Sequence, residues 1–187
     1  MASLVNGVKV MNTLFLRLDG ASDLLAKISM AMVVMLVISI LYEVVSRYAF
    51  GAPTLWSFDI SYMLNGALFL LASGYSLKVE AHVRIDFISS RLALRYQQLI
   101  NLFFYFFMIG PSFFFLSYVA GEKAISAWVT GEVESVSPWS PLVWPFYGAI
   151  AIGLMAFTLQ VYIDGIRYLK GDKTPGKSVT KDEMIHG

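Results

Sequence analysis

Glu43-Val-Val-Ser-Arg47-Tyr48-Ala-Phe50-Gly51-Ala-Pro53-Thr-Leu-Trp56-Ser-Phe-Asp59 opens the decisive stretch of this chain. An uncharged run from Ile60 to Leu77 follows, and then Lys78-Val-Glu80-Ala-His82-Val83-Arg84-Ile85-Asp86. The uncharged run is 18 residues long, which is about the minimum for a helix that crosses a bilayer. Trp56 stands at its start, and Trp is favoured where membrane meets water. Glu43 and Arg47 close the apolar segment before it, and a short Gly/Pro turn joins the two. The chain therefore crosses a membrane here and carries two acids and a base near one surface.

The composition agrees. Of 187 residues, 57% are hydrophobic and only 14% are charged, with a mean hydropathy of +0.65. Soluble domains carry about 25% charged residues, and the deficit here is concentrated in long charge-free runs. A net charge of +1 gives no electrostatic footprint for nucleic acid. The absence of cysteine excludes disulfides, thiol nucleophiles and thiolate metal sites. No phosphate-binding loop, dinucleotide fingerprint or HExxH motif occurs. A haem held across a bundle needs histidines inside the spans, and the two here are His82, in a loop, and His186, in the tail. No cofactor, metal or catalytic role is expected, and the chain does not read as an enzyme.

Moving outward, Leu4, Val8, Met11, Phe15 and Leu18 recur at helical spacing. Residues 1–22 read as an amphipathic segment on the membrane surface or leading into the first span. The spacing predicts four spans, at about 24–46, 55–77, 97–120 and 141–163, with a polar tail over 164–187. Pro111 should kink or loosen the third span, because it removes a helix hydrogen bond. Pro141 and Pro145 suit the start of the fourth. The expected fold is an all-α integral membrane protein of four transmembrane helices plus interfacial amphipathic helices.

Twelve of the fourteen basic residues lie in the N-terminal segment, the loop from Lys78 to Arg95 and the tail. The other two connections hold only Arg47 and Lys123. The positive-inside rule then puts both termini and the His82 loop in the cytoplasm, and the loop with Glu122, Glu132 and Glu134 outside.

Ionisable groups at membrane depth are functional candidates because an unpaired charge in lipid is costly. Glu43 precedes Arg47 by four residues, the favourable order for a helical ion pair, and Asp59 lies within reach of the same Arg47. The plain reading is a neutral triad holding two helices together. The second span carries a small and polar stripe, Ser57, Ser61, Asn65, Ala72 and Ser76, with Gly66, Ser73 and Gly74 beside it. The fourth repeats this with Ala149, Gly153, Ala156 and Gln160. Small residues let helices approach closely, and an Asn seeks a hydrogen bond across an interface. These stripes suit packing within the bundle or against another membrane protein. The third span, rich in Phe from Phe103 to Phe115, reads as lipid-facing or as core filler without a small-residue stripe. In the His82–Asp86 segment, Val83 and Ile85 alternate with polar residues. His82 and Arg84 are expected to reach lipid headgroups and Asp86 to cap the following helix.

Arg47-Tyr48-x-Phe50-Gly51, Trp56 with an acid shortly after, the Gly-bearing second span and His82-Val83-Arg84-Ile85-Asp86 together resemble the small membrane subunit (DctQ-like) of tripartite ATP-independent periplasmic (TRAP) transporters. That family often has two Glu residues after the Trp, whereas this chain has Ser57, Phe58 and the single Asp59. The resemblance implies uptake of a small organic acid by a sodium-coupled system in the bacterial inner membrane. It implies two protein partners, a large multi-span permease subunit and an extracytoplasmic substrate-binding protein, in addition to the lipid bilayer. The small subunit would act as a scaffold for the large one, with Glu43, Arg47, Trp56, Asp59, Asn65, His82, Arg84 and Asp86 as structural or interface residues. The residues also leave open a self-sufficient four-span antiporter using Glu43, and a tetraspan assembly protein that transports nothing.

Overall fold

A computed structural model describes residues 2–79 and 94–170, and within them the regular structure is helical apart from one isolated β-bridge. The helices are α1 (Ala2–Phe50), α2 (Ser57–Lys78), α3 (Leu94–Phe103), α4 (Gly110–Thr130) and α5 (Trp144–Lys170), with a π-helical segment, Phe104–Ile109, joining α3 to α4. Four stretches are long and apolar enough to span a membrane: Leu16–Phe50, Ser57–Lys78, Phe104–Thr130 and Trp144–Arg167.

α1 is one unbroken helix of 49 residues. At 1.5 Å per residue it is about 74 Å long, more than twice the hydrocarbon thickness of about 30 Å. No break separates residues 2–22 from the first span. On α1 the inward stripe is the polar one: Asp19, Ser22, Ala26, Ser29 and Ser39 are buried, while Val33, Val34, Val37, Ile38 and Leu41 point outward. This reverses the soluble pattern, because lipid is as apolar as leucine and helices associate through small and polar groups.

The third span runs over Phe104–Thr130, later than its expected bounds, and Pro111 marks a widened turn near its start. Proline has no N–H to give to the preceding turn, and the helix meets this by widening. The Gly110 N–H reaches back five residues to the Tyr105 carbonyl, and regular helix resumes with Pro111 in its first turn. α4 then runs ten residues beyond Ala120. It ends at Gly131, whose φ of 65° and ψ of 33° are left-handed. There the Glu132 N–H returns to Ala127 O (3.0 Å) and the Gly131 N–H to Trp128 O (3.4 Å), the paired bonds that glycine makes easy at a helix end.

α1 packs on α2, α2 on α5 and α5 on α4, with a smaller contact between α1 and α5; α1 and α4 share no packed interface. α5 is the central helix and the most buried of the four spans. Its seam with α2 is built from the small residues of both stripes. A side chain on Gly153 would lie 2.6–2.7 Å from the Leu70 carbonyl group, and one on Gly74 would lie 3.4 Å from the Ala156 backbone. α4 does present small residues, contrary to the expectation from its many phenylalanines: Gly110, Ser117, Ala120 and Ala127 are buried, and Ser117 Oγ donates to Ala151 O of α5 (3.1 Å). The rings conceal this stripe in the sequence because they occupy the other faces.

Candidate functional site

Two groups of ion pairs and hydrogen bonds among the described residues mark the two ends of the spans. At the Trp56 end, Glu43 accepts from Arg47 Nη2 (2.6 Å) and Nε (2.9 Å). It also accepts from the Thr54 backbone N–H (2.9 Å) and the Thr54 hydroxyl. One carboxylate thus ties the end of α1 to the turn that leads into α2, with the Arg47 side chain largely in the open (56% exposed). A second tie lies just below, where Ser57 Oγ donates to Ser39 O (3.1 Å).

Asp59 does not join Glu43 and Arg47. It is buried (3% exposed) and accepts a hydrogen bond from Ser137 in the loop between α4 and α5. The predicted triad is therefore a pair plus a separate loop anchor. The reason is rotational. Asp59 lies two residues beyond Ser57, so while Ser57 meets α1, Asp59 turns away toward α5 and its preceding loop. Tyr62, one turn on, donates to Glu134 of the same loop (3.3 Å). Lys123 pairs with Glu132 (2.7 Å), and Val133 and Leu142 form a β-bridge that closes the loop. Trp56 stacks near Tyr42 (5.6 Å between rings), and Trp128 meets Trp144 (4.6 Å). These rings form an aromatic belt at this end.

At the Lys78 end lies a cluster that the sequence reading passed over. Asp19, Ser22, Gln160, Asp164 and Arg167 are 0–7% exposed. Arg167 Nη2 donates to Asp19 Oδ2 (2.7 Å), and its Nη1 lies 3.6 Å from Asp164 Oδ1. Gln160 Nε2 donates to Asp164 (3.3 Å) and reaches Asp19 (3.5 Å), while Ser22 Oγ donates to Gln160 Oε1 (3.3 Å). Lys78, the last residue of α2, pairs with Asp23 (2.6 Å) and donates to the Asp19 carbonyl (3.3 Å). The cluster clasps α1, α2 and α5 together. The expected polar tail over 164–187 takes in Asp164 and Arg167. They belong instead to α5, which runs to Lys170, and Arg167 finds its partner on α1. The signal was present: Gln160, Asp164 and Arg167 at spacings of four and three share one helical face, as do Asp19, Ser22 and Ala26.

Asn65 lies on the exposed side of α2 between Phe58 and Phe69. His82, Arg84 and Asp86 lie outside the described residues. Among the described residues no group of three His, Cys, Asp or Glu side chains is placed to hold a metal ion.

The model of one protein family, tripartite ATP-independent periplasmic transporters, DctQ component, matches residues 36–171. The chain belongs to the DctQ family. No match is found among curated proteins. The matched region of this DctQ component holds Glu43, Arg47, Trp56, Asp59 and Asn65. It also holds the α5 half of the clasp, whereas Asp19, Ser22 and Asp23 precede it. The protein is thus a membrane component of a TRAP transporter, with four helices able to span the bilayer.

Proposed function

We propose that this DctQ component is the fixed frame of its transporter: it anchors the large permease subunit, which carries substrate and coupling ion, and does not itself move them. One observation carries this reading. The buried and partly buried ionic contacts of Glu43, Asp59, Lys78 and Arg167 lie toward the two ends of the spans, where they tie helix to helix or helix to loop, and the seam between α2 and α5 is backbone packed tightly against backbone. A transporter's midplane site is typically built from interrupted helices that turn their ends toward substrate. Within the four described spans, the irregular segment Phe104–Ile109 keeps its helical path and is all apolar apart from the Tyr105 hydroxyl. An antiporter working through Glu43 needs that carboxylate available to a cation, but Arg47 and Thr54 already engage both of its oxygens.

The resemblance supports sodium-coupled uptake of a small organic acid by the assembled system, in the inner membrane, with an extracytoplasmic binding protein delivering the substrate. The basic-residue asymmetry supports cytoplasmic termini. Reconstitution tests the frame role. Proteoliposomes holding this subunit alone, given binding protein, a sodium gradient and labelled organic acids, should show no uptake, and adding the large subunit should restore it. Saturable uptake by this subunit alone would overturn the reading.

A further inference from the structure

α2 is held on one side and open on the other. Ala67, Leu71, Gly74 and Leu77 are buried against α1 and α5, while Phe58 (79% exposed), Asn65 and Phe69 (73% exposed) line the opposite side. Asn65 makes no hydrogen bond among the described residues, and at 1.5 Å per residue it sits about 12 Å inside the start of α2. That depth is within the hydrocarbon of a membrane about 30 Å thick. A primary amide in hydrocarbon leaves two donors and an acceptor unmet, at a cost that lipid tails do nothing to relieve. Whatever covers this face therefore brings a hydrogen-bonding group to the level of Asn65.

We propose that the Phe58–Asn65–Phe69 face of α2 receives a span of the large permease subunit, one that offers small residues opposite the two phenylalanines and a hydroxyl, amide or backbone carbonyl opposite Asn65. The inference rests on the frame reading and assigns its contact surface. A second copy of this chain fits poorly. Two copies oriented alike in one membrane would meet about a two-fold axis, so Phe58 would face Phe58 and Phe69 would face Phe69. Rings opposed on both sides of Asn65 hold the helix axes apart, and the short Asn side chains between them fail to meet. A different helix with small residues at those two levels closes the gap, and interhelical bonds in membranes form where backbones approach.

Photo-crosslinking in the intact complex tests this. A benzoylphenylalanine placed at Phe58 or Phe69 should cross-link to the large subunit, and one at Phe114 or Phe115 on the outer side of α4 should not. Asn65→Leu should weaken recovery of the large subunit about 3- to 15-fold, the range expected for one hydrogen bond between membrane helices. Asn65→Gln should restore part of it. Because Asn65 makes no hydrogen bond among the described residues, the melting of the isolated subunit should not change in either variant. Cross-links from Phe69 to a second copy of this chain would overturn the proposal, as would a complex that cross-links only through α4 or forms equally well with Asn65→Leu. In those cases the frame reading survives. Failure of the two subunits to co-purify under any condition would overturn both.

Discussion

Arg167→Met removes the cation that two buried carboxylates share. In the native protein the Arg167 and Asp19 side chains are 9% and 4% exposed, and the Asp164 side chain is 0% exposed. Solvent screening therefore does little to soften the loss. Taking away one partner of a buried ion pair costs about 3–5 kcal/mol, most of it the penalty of stranding the other charge. The structure directs that cost to the attachment of α1, because Asp19 is the α1 end of the clasp. At about 1.4 kcal/mol per tenfold change, the population with α1 detached should rise by roughly 100- to 4,000-fold. The chain has no cysteine, so a single Ala26→Cys, at a position 4% exposed on the packed side of α1, reports the opening. Its rate of labelling by a small thiol reagent in detergent should rise by about that factor in Arg167→Met. Arg167→Lys should fall between, since a lysine ammonium lacks the planar fork that reaches Asp19 and Asp164 together. In Asp19→Asn with Arg167→Gln, the effects should be far from additive, as for two groups in one network. Equal labelling rates in Arg167→Met and wild type would refute the clasp as the attachment of α1.

Three further outcomes follow from the packing. Gly153→Val should force α2 and α5 apart at Leu70 and cost about 1–3 kcal/mol by overpacking. Gly121→Ala, where the added carbon meets only Ala151 at 4.0 Å, should be tolerated; the two melting temperatures in detergent make the comparison. Arg47→Ala should lower melting by only a small fraction of the Arg167→Met effect. The Arg47 side chain is mostly exposed, and Thr54 still holds Glu43. Cysteines placed singly at Ser3, Ser135 and Ser178 should react with an impermeant reagent from outside only at 135, and labelling at 178 would reverse the assigned orientation.

The sequence by itself determined the membrane class, the four spans and the family. Each depends on a property summed over many residues: charge-free length, low charge content, and the order of Arg47, Phe50, Gly51, Trp56 and the His82–Asp86 segment. The Glu43–Arg47 pair was legible for a related reason, since partners four residues apart on one helix are neighbours whatever the fold. Asp59 and Asp19 were not legible in this way. Their partners, Ser137 and Arg167, are 78 and 148 residues distant, and only the side-by-side arrangement of α1, α2 and α5 brings them together. The same holds for the small residues. Composition marked Gly74, Gly153 and Ala156 as able to pack closely, but whether they faced each other or a foreign helix depended on the rotation of α2. That rotation turns Gly74 inward against Ala156 and leaves Asn65 outward. A helix's rotation about its own axis is set by the balance of all its contacts, and so it belongs to the tertiary structure.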